Sequence, residues 1–190
     1  MKTKKEKVLE VASRLFAEQG FEKTSMANIC EAANVSKGLV YHHFKSKNEI
    51  LLEIFSSTTR HMMEMNESGT EEVAGNRIVS LIERIFSQLE HNRFLYQLNV
   101  NVMFQPSSRK LLKTQIQERA SILFTSVNSI FDEIDPEKSE LLSYMFIAEI
   151  DGIVLDYLSV FDTYPLHAIK ELLIKKYENL NTGIEHPTIP

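Results

Sequence analysis

The chain has 190 residues, of which 43% are hydrophobic and 25% are charged, and these proportions exclude a disordered or collagen-like chain. Six Gly and five Pro are too few for a β-sandwich built on many tight turns. The single cysteine, Cys30, excludes an internal disulfide and a cysteine-rich zinc site, and it suits a reducing compartment. No apolar run approaches the roughly 20 residues that span a bilayer, and the N-terminus has no apolar signal core. We therefore expect a cytoplasmic protein without a membrane segment.

The formal net charge is −5, but the two signs are unevenly distributed along the chain. Residues 1–47 contain nine Lys or Arg and five Asp or Glu, whereas residues 48–190 contain twelve and twenty-one. This asymmetry is typical of a basic contact region carried on an acidic body. Lysine-rich N-termini are also often simply solvated, so the charge pattern does not identify a ligand by itself.

The apolar spacing of the first 47 residues predicts three short helices. The first ends at Gly20, which accepts a positive φ, and its apolar face consists of Leu9, Ala12, Leu15 and Phe16. Residues 24–25 supply the N-cap of the second helix, and Asn34, which tolerates left-handed backbone, interrupts it. Ser36 can cap the third helix, which continues to residue 43 or 44.

The spacing beyond residue 47 is helical as well. A fourth helix begins near Ser46, residues 66–75 are expected to form a loop, and helical spacing resumes over 78–89, 94–104 and 112–134. Pro136 suits the first turn of the following helix.

One segment near the C-terminus has a competing interpretation. Asp151-Gly152 between apolar residues is a β-hairpin signal. The apolar residues of 142–161 nevertheless recur at steps of three and four, which favours a helix that contains a glycine. A last helix follows Pro165, and residues 181–190 have the composition of a loose tail.

These elements predict an all-α fold of about nine helices. Residues 1–47 form a three-helix N-terminal domain, and residues 48–190 form a second, C-terminal helical bundle.

Residues 24–47, TSMANICEAANVSKGLVYHHFKSK, carry the pattern that indicates function. Two short helices joined by a tight turn are the arrangement of a helix-turn-helix. Lys37 and Gly38 begin the second helix. Lys37 has a long side chain that donates hydrogen bonds, and Gly38 has no side chain, so the backbone can approach a DNA groove there. Hydroxyls and backbone N–H groups at the helix N-termini, at Ser25 and Ser36, favour phosphate oxygens. Tyr41, His42 and His43 can reach flanking phosphates.

Residues 33–44, ANVSKGLVYHHF, with Lys47 beyond them, resemble the DNA-binding motif of the tetracycline-repressor (TetR) family. Residues 12–16 and Gly20-Phe21 are similar to the family's first helix. The resemblance covers roughly the first fifty residues in detail, and the remainder agrees in being helical and of the right length. Asn34 departs from the glycine that is usual in the family, but asparagine is the next-best residue for left-handed backbone.

The resemblance implies roles for individual residues. Those that approach base edges are Lys37, Gly38 and Tyr41. Those that mainly position the DNA backbone are Ser25, Ser36, Leu39, His42, His43 and Lys47.

The resemblance also implies a mechanism. A homodimer would bind a near-palindromic operator on double-stranded DNA, and the last two helices would form its four-helix interface. The helix after Pro165 has its own apolar face, on which we expect Leu173 to be exposed. A small-molecule effector would bind the C-terminal domain and move the fourth helix, so that a repressor of transcription leaves its operator.

The effector pocket has apolar, aromatic and acidic candidates in the C-terminal bundle. The candidates are Met62, Phe86, Phe94, Met103, Phe104, Phe124, Phe146, Glu149 and Tyr157. Most aromatic residues of such a bundle are core residues, so the apolar candidates have a second interpretation. Glu149 favours a cationic ligand, but exposure or a place at the dimer seam explains it equally well. The ligand is therefore expected to be small and apolar or cationic.

Other classes of function have less support. Cys30 fits either a redox switch or a packed core residue. His61, His91 and His167 have no second His or Cys at i+4, so we expect no metal site and no cofactor. Nucleotide-binding and nucleophilic-serine motifs are absent, and we expect no enzyme activity. A helical enzyme or scaffold with an idle N-terminal motif is the alternative, and an activator would use the same residues as a repressor.

Overall fold

The computed structural model describes residues 3–67 and 74–181, and this part of the chain is helical without any strand, which confirms the all-α prediction. The α-helices of the described residues are α1 (Lys4–Glu18), α2 (Met26–Ala33), α3 (Lys37–His43), α4 (Lys47–Glu67), α5 (Ala74–His91), α6 (Arg93–Phe104), α7 (Pro106–Leu111), α8 (Lys113–Ile134), α9 (Ser139–Leu155) and α10 (Leu166–Asn181). A π-helix, Asp156–Val160, continues α9.

Three local predictions differ from the structure. Helix α7 was not predicted, and Pro106 begins it, because the missing N–H of proline is harmless in a first turn. Pro136 lies in a turn before α9 and not in its first turn, since that helix begins at Ser139. The predicted loop at 66–75 lies mostly outside the described residues, and its ends at 66–67 and 74–75 belong to α4 and α5.

Side chains define the boundaries of the first helices. Ser25 caps α2 and forms a capping box with Asn28, whose backbone N–H donates to the Ser25 hydroxyl at 3.1 Å. Thr24, the other predicted cap, instead donates its hydroxyl to the Gly20 carbonyl oxygen at 2.9 Å. Asn34 ends α2 with a φ of +51°, as expected for a residue that tolerates left-handed backbone. The tight turn between α2 and α3 is thus determined by local sequence.

The described residues divide into two compact units. The first contains residues up to Glu64 together with Asn92–Ala120, and the second contains Met65–His91 and the residues from Ser121 onward. The predicted domain boundary after residue 47 is a division by function, and it stays a prediction. The division by packing is a different one, because it groups α4, α6 and α7 with the first three helices.

The first unit has one continuous hydrophobic core. Phe16 of α1, Ile29 of α2, Val40 of α3 and Leu51 of α4 are fully buried in it, and Leu98 of α6 is 2% exposed. Cys30 is packed in the same core, which matches the packed alternative for this thiol. The three N-terminal helices therefore share their interior with α4 and α6.

The second unit is organised around α5, α9 and α10. Phe131, Phe146 and Tyr177 form an aromatic cluster in which the rings of Phe146 and Tyr177 meet edge to face at 5.2 Å between centroids. Helices α5 and α10 pack closely against each other. The glycine of the 142–161 segment lies in a regular α-helix, so the hairpin alternative is wrong.

The backbone of Asn34 gives a stability prediction. Asn34→Val should destabilise the protein by about 1–2 kcal/mol, because a β-branched residue is disfavoured in left-handed backbone. Asn34→Gly should be neutral or stabilising, because glycine adopts a positive φ without a steric cost. Denaturant unfolding measures both, with Ala32→Val on the exposed side of α2 as a control that should cost less than about 1 kcal/mol. An equal loss of unfolding free energy in the Asn34→Val and Ala32→Val variants would contradict this account.

Candidate nucleic-acid interface

Helix α3 presents one exposed polar and aromatic surface. Lys37, Gly38, His42 and His43 are exposed, and Tyr41 is 51% exposed although it is a large aromatic residue. Val40 on the opposite side is fully buried. The helix therefore buries Val40 completely and leaves five of the residues predicted to contact DNA exposed.

Two serines at helix N-termini border this surface. Ser25 and Ser36 are exposed, and the Ser36 hydroxyl accepts the backbone N–H of Leu39 at 3.3 Å. Leu39 itself is partly buried. Both serines thus cap the first turns of α2 and α3, and the Ser25 N–H itself donates to Asn28 Oδ1 at 3.0 Å. Their predicted contacts with phosphates stay a prediction.

Gly38 is not required by the packing of the chain. A Cβ at this position would meet no atom within 4 Å. Glycine also lowers helix stability relative to alanine. The open space at Gly38 is compatible with the predicted approach of the α3 backbone to a DNA groove, which stays a prediction.

Lys47 lies in a different environment from the one predicted. Its ammonium group donates to the carbonyl oxygens of Phe21 at 2.8 Å and Glu22 at 3.1 Å, and it lies 4.5 Å from the centroid of the Phe21 ring. These contacts join the start of α4 to the turn between α1 and α2. Lys47 therefore has a structural role, and because two of its three N–H donors are used within the chain, its contact with the DNA backbone stays a prediction.

Arg119 is a residue that sequence analysis missed. It projects from α8 within the first unit and donates to the carbonyl oxygen of Phe55 at 2.8 Å and to the hydroxyls of Thr58 and Thr59 on α4. It also donates to Asn99 of α6 at 3.2 Å. The position of Arg119 within the apolar stripe of Ile116, Ala120 and Leu123 is a signal that could have drawn attention to it.

The pocket candidates of the first unit do not surround a common interior. Met103 and Phe104 are 47% and 70% exposed, in contrast to the predicted pocket lining. Phe94 is partly buried, with the Arg14 guanidinium 5.8 Å from its ring centroid. The side chain of Met62 lies outside the described residues.

The pocket candidates of the second unit are mostly core or paired. Phe86 and Phe146 are fully packed core residues. The ring centroids of Phe124 and Tyr144 are 4.7 Å apart. Tyr157 is partly buried, and its ring centroid lies 6.3 Å from that of Tyr164.

Glu149 is already neutralised within the second unit. Its carboxylate accepts the Lys176 ammonium at 2.7 Å and the Tyr177 hydroxyl at 2.9 Å. Burial, followed by the bond to Glu149, raises the pKa of Tyr177 well above its ordinary range, so Tyr177 remains a donor. The predicted preference of Glu149 for a cationic ligand therefore has no support in the geometry.

Residues 3–67 and 74–181 contain no group of three or more His, Cys, Asp or Glu side chains that could hold a metal ion. None of their helices is long and apolar enough to cross a membrane.

Comparisons with known proteins agree with this geometry. The family model for bacterial regulatory proteins of the tetR family matches residues 8–54. The transcriptional regulator AcrR of Shigella flexneri is 34% identical over 83 residues, which cover 44% of this chain and 39% of AcrR. The alignment thus spans about two fifths of that regulator's length.

Two solved structures extend the likeness to almost the whole chain. A transcriptional regulator of the TetR/AcrR type from Aquifex aeolicus has a TM-score of 0.75 at 25% identity, over 94% of this chain and 99% of that one. FadR from Bacillus subtilis, solved in complex with stearoyl-CoA, has a TM-score of 0.75 at 20% identity, over 94% and 98% of the two chains. At that identity the likeness to FadR shows the fold alone.

The arrangement of α2, α3 and the turn between them is that of a helix-turn-helix. Residues 8–54 match the model of the tetR family of bacterial regulatory proteins, and the proteins that the chain resembles are described as regulators of transcription.

Gly38→Ala should affect folding and DNA binding in opposite directions. The helix should become more stable by up to about 1 kcal/mol. Operator binding should weaken by about tenfold or more, equivalent to about 1.4 kcal/mol, because the new methyl group separates α3 from the groove. Thermal unfolding and fluorescence anisotropy of labelled operator measure the two effects. Unchanged operator affinity would remove Gly38 from the interface.

Lys47→Met distinguishes a structural lysine from a phosphate contact. A lost phosphate contact reduces the slope of log affinity against log salt by about 0.9. We expect this slope to stay unchanged, because the Lys47 ammonium binds carbonyl oxygens of the chain. Lys37→Met is the comparison, and it should weaken binding by about 1–3 kcal/mol and relax the preference for particular bases. A reduced slope for Lys47→Met would restore the original prediction.

Proposed function

We propose that the protein is a transcriptional repressor that binds a near-palindromic operator as a homodimer and is released by a small amphiphilic molecule. The observation that carries this proposal is the exposed surface of α3, with Lys37, Gly38 and Tyr41 on one side of a short helix. The match of residues 8–54 to the tetR family model supports it, and operator binding would occur in the cytoplasm.

A second copy of the chain has a candidate interface on α9. Leu141, Tyr144 and Met145 are 66%, 57% and 62% exposed, and they continue into the small exposed residues Ala148 and Gly152. Because these positions recur at steps of three and four, they form one apolar stripe. A Cβ on Gly152 would meet nothing within 4 Å, so another helix has room to approach closely.

Helix α10 supplies a further exposed apolar residue, but not the one expected. Leu173 is 4% exposed and belongs to the interior of the second unit, whereas Leu172 is 66% exposed. The two positions differ by one residue, which is about 100° around the helix. Leu172 is therefore our candidate for the interface contribution of α10.

The proposed effector has a long apolar chain. The complex of FadR with stearoyl-CoA supports this class, because FadR has the same fold. The alternative, a cationic ligand, depended on Glu149, whose carboxylate already binds Lys176 and Tyr177.

Selection from a pool of randomised duplex DNA tests the DNA-binding part of the proposal. The purified protein should enrich sequences with an inverted repeat, because a two-fold dimer presents two copies of α3. Tyr41→Ala should lose this enrichment while keeping its helix content by circular dichroism. Enrichment of a single half-site, or of no sequence, would contradict the two-half-site mechanism.

Met145→Glu tests the dimer interface. A charge in the apolar stripe of α9 should give folded monomers with much weaker operator binding, because burying an unpaired charge is costly. Met103→Glu is a matched control, since it places the same charge at an exposed methionine of α6. Analytical ultracentrifugation should find monomers for the first variant and dimers for the second. A dimeric Met145→Glu protein would exclude this stripe as the interface.

Effector release requires reciprocal coupling between ligand and operator. Dodecanoyl-CoA should bind less tightly when operator is saturating, and operator should bind less tightly by the same factor when the ligand is saturating. Calorimetry is suitable because the chain has no tryptophan. Equal affinities with and without operator would show that this ligand is not an inducer.

A further inference from the structure

Arg119 is a cation whose hydrogen-bonding partners are all neutral. Its guanidinium donates to a backbone carbonyl, two threonine hydroxyls and an asparagine side chain, and it lies 4.2 Å from the centroid of the Phe55 ring. Within the described part of the chain no Asp or Glu lies at ion-pair distance from it. By contrast, Arg77 of α5 pairs with Glu133.

Burial makes this lone cation unfavourable. It lowers the pKa of Arg119 to about 10, partly offset by the neighbouring Tyr96. The guanidinium is still protonated at neutral pH. A partly buried charge without a counterion is stabilised when an anion binds beside it.

We propose that Arg119 binds the anionic headgroup, a carboxylate or a phosphate, of the amphiphilic effector, and that this binding weakens the attachment of α4. The inference rests on the proposed function, since it names the chemistry of the headgroup for that effector.

The groups around Arg119 suit an anion. Tyr96 has a raised pKa because of burial, so its hydroxyl stays protonated and able to donate. The hydroxyls of Thr58 and Thr59 and the amide of Asn99 are neutral hydrogen-bonding groups. The two threonine hydroxyls already donate to the carbonyl oxygens of Ile54 and Phe55, so Tyr96 and the Asn99 amide are the groups that can donate to an anion, and none of the four side chains adds negative charge.

Gln115 provides a second, independent indication of an unfilled polar position. It lies one turn before Arg119 on the same face of α8, and its Oε1 atom is buried without a hydrogen-bond partner in the described residues. Buried polar atoms of folded proteins are nearly always paired. An anionic headgroup only accepts hydrogen bonds, so it would pair with this group by accepting from the Gln115 amide nitrogen after the side-chain amide has rotated.

Binding at Arg119 would act on α4, the helix that directly follows α3. The Phe55 carbonyl and the Thr58 and Thr59 hydroxyls all belong to α4, which begins at Lys47 directly after α3. A carboxylate or phosphate binds guanidinium through two parallel, charge-assisted hydrogen bonds, which are stronger than bonds to neutral oxygens. The anion therefore competes with α4 for the same donors.

Calorimetry with three probes of equal chain length tests the proposal. The probes are dodecanoate, dodecanoyl-CoA and neutral 1-dodecanol, and the first two distinguish a carboxylate from a phosphate source. The wild-type protein should bind at least one anion about tenfold or more tightly than 1-dodecanol, the scale of one hydrogen-bonded charge. Arg119→Gln should abolish this preference, whereas Arg77→Gln, which removes an arginine that already has a carboxylate partner, should retain it.

Arg119→Lys keeps the test decisive if the glutamine variant does not fold. Lysine retains the positive charge but lacks the planar guanidinium group, which binds a carboxylate or phosphate through two hydrogen bonds. The affinity for the anions should therefore fall several-fold, while the affinity for 1-dodecanol should stay the same. Equal wild-type affinities for anions and alcohol, no binding of either anion, or unchanged anion affinity in the Arg119 variants would each overturn the proposal.

Operator binding without any probe separates the two proposals. If the wild-type protein selects an inverted repeat but shows no anion preference, the repressor function stands and the anion site is wrong. If anions bind at Arg119 but no operator is selected, the repressor function is wrong and the site remains.

Discussion

The arrangement of this protein depends on how a seven-residue helix is held. Helix α3 is too short to be stable by itself, since isolated helices need about 12–15 residues. Its orientation is determined by Val40 and, just beyond its end, Phe44, which are buried in a core shared with α1, α4 and α6. The position of the exposed surface of α3 therefore depends on the positions of these neighbouring helices.

Polar side chains attach α4 to the rest of the first unit at three places along its length. Lys47 joins its first turn to the carbonyl oxygens of residues 21–22, and Glu53 pairs with Lys5 of α1. Arg119 holds its middle against α6 and α8. Since α4 follows α3 directly, we expect a change in any of these attachments to alter the position of α3. Polar contacts suit this task because alternative partners can replace them, whereas a close-packed core cannot be shifted gradually.

The helix-turn-helix could be predicted because its signals are local. Ser25 and Ser36 cap helices within three residues, and Asn34 adopts left-handed backbone by its own preference. The contacts of Lys47 and Arg119 could not be predicted in this way. Their partners lie 26 and 64 residues away in the sequence, so only the folded chain brings them together.

The sequence by itself determined the helical fold, the turn at Asn34 and the outward surface of α3, because helical periodicity and capping act over a few residues. Only the tertiary structure decided which apolar residues are covered. Phe146 is core whereas Phe104 is exposed, and Leu173 is buried whereas its neighbour Leu172 is not. Periodicity identifies an apolar face, but which part of that face is buried depends on the helix packed against it, and that helix comes from a distant part of the chain.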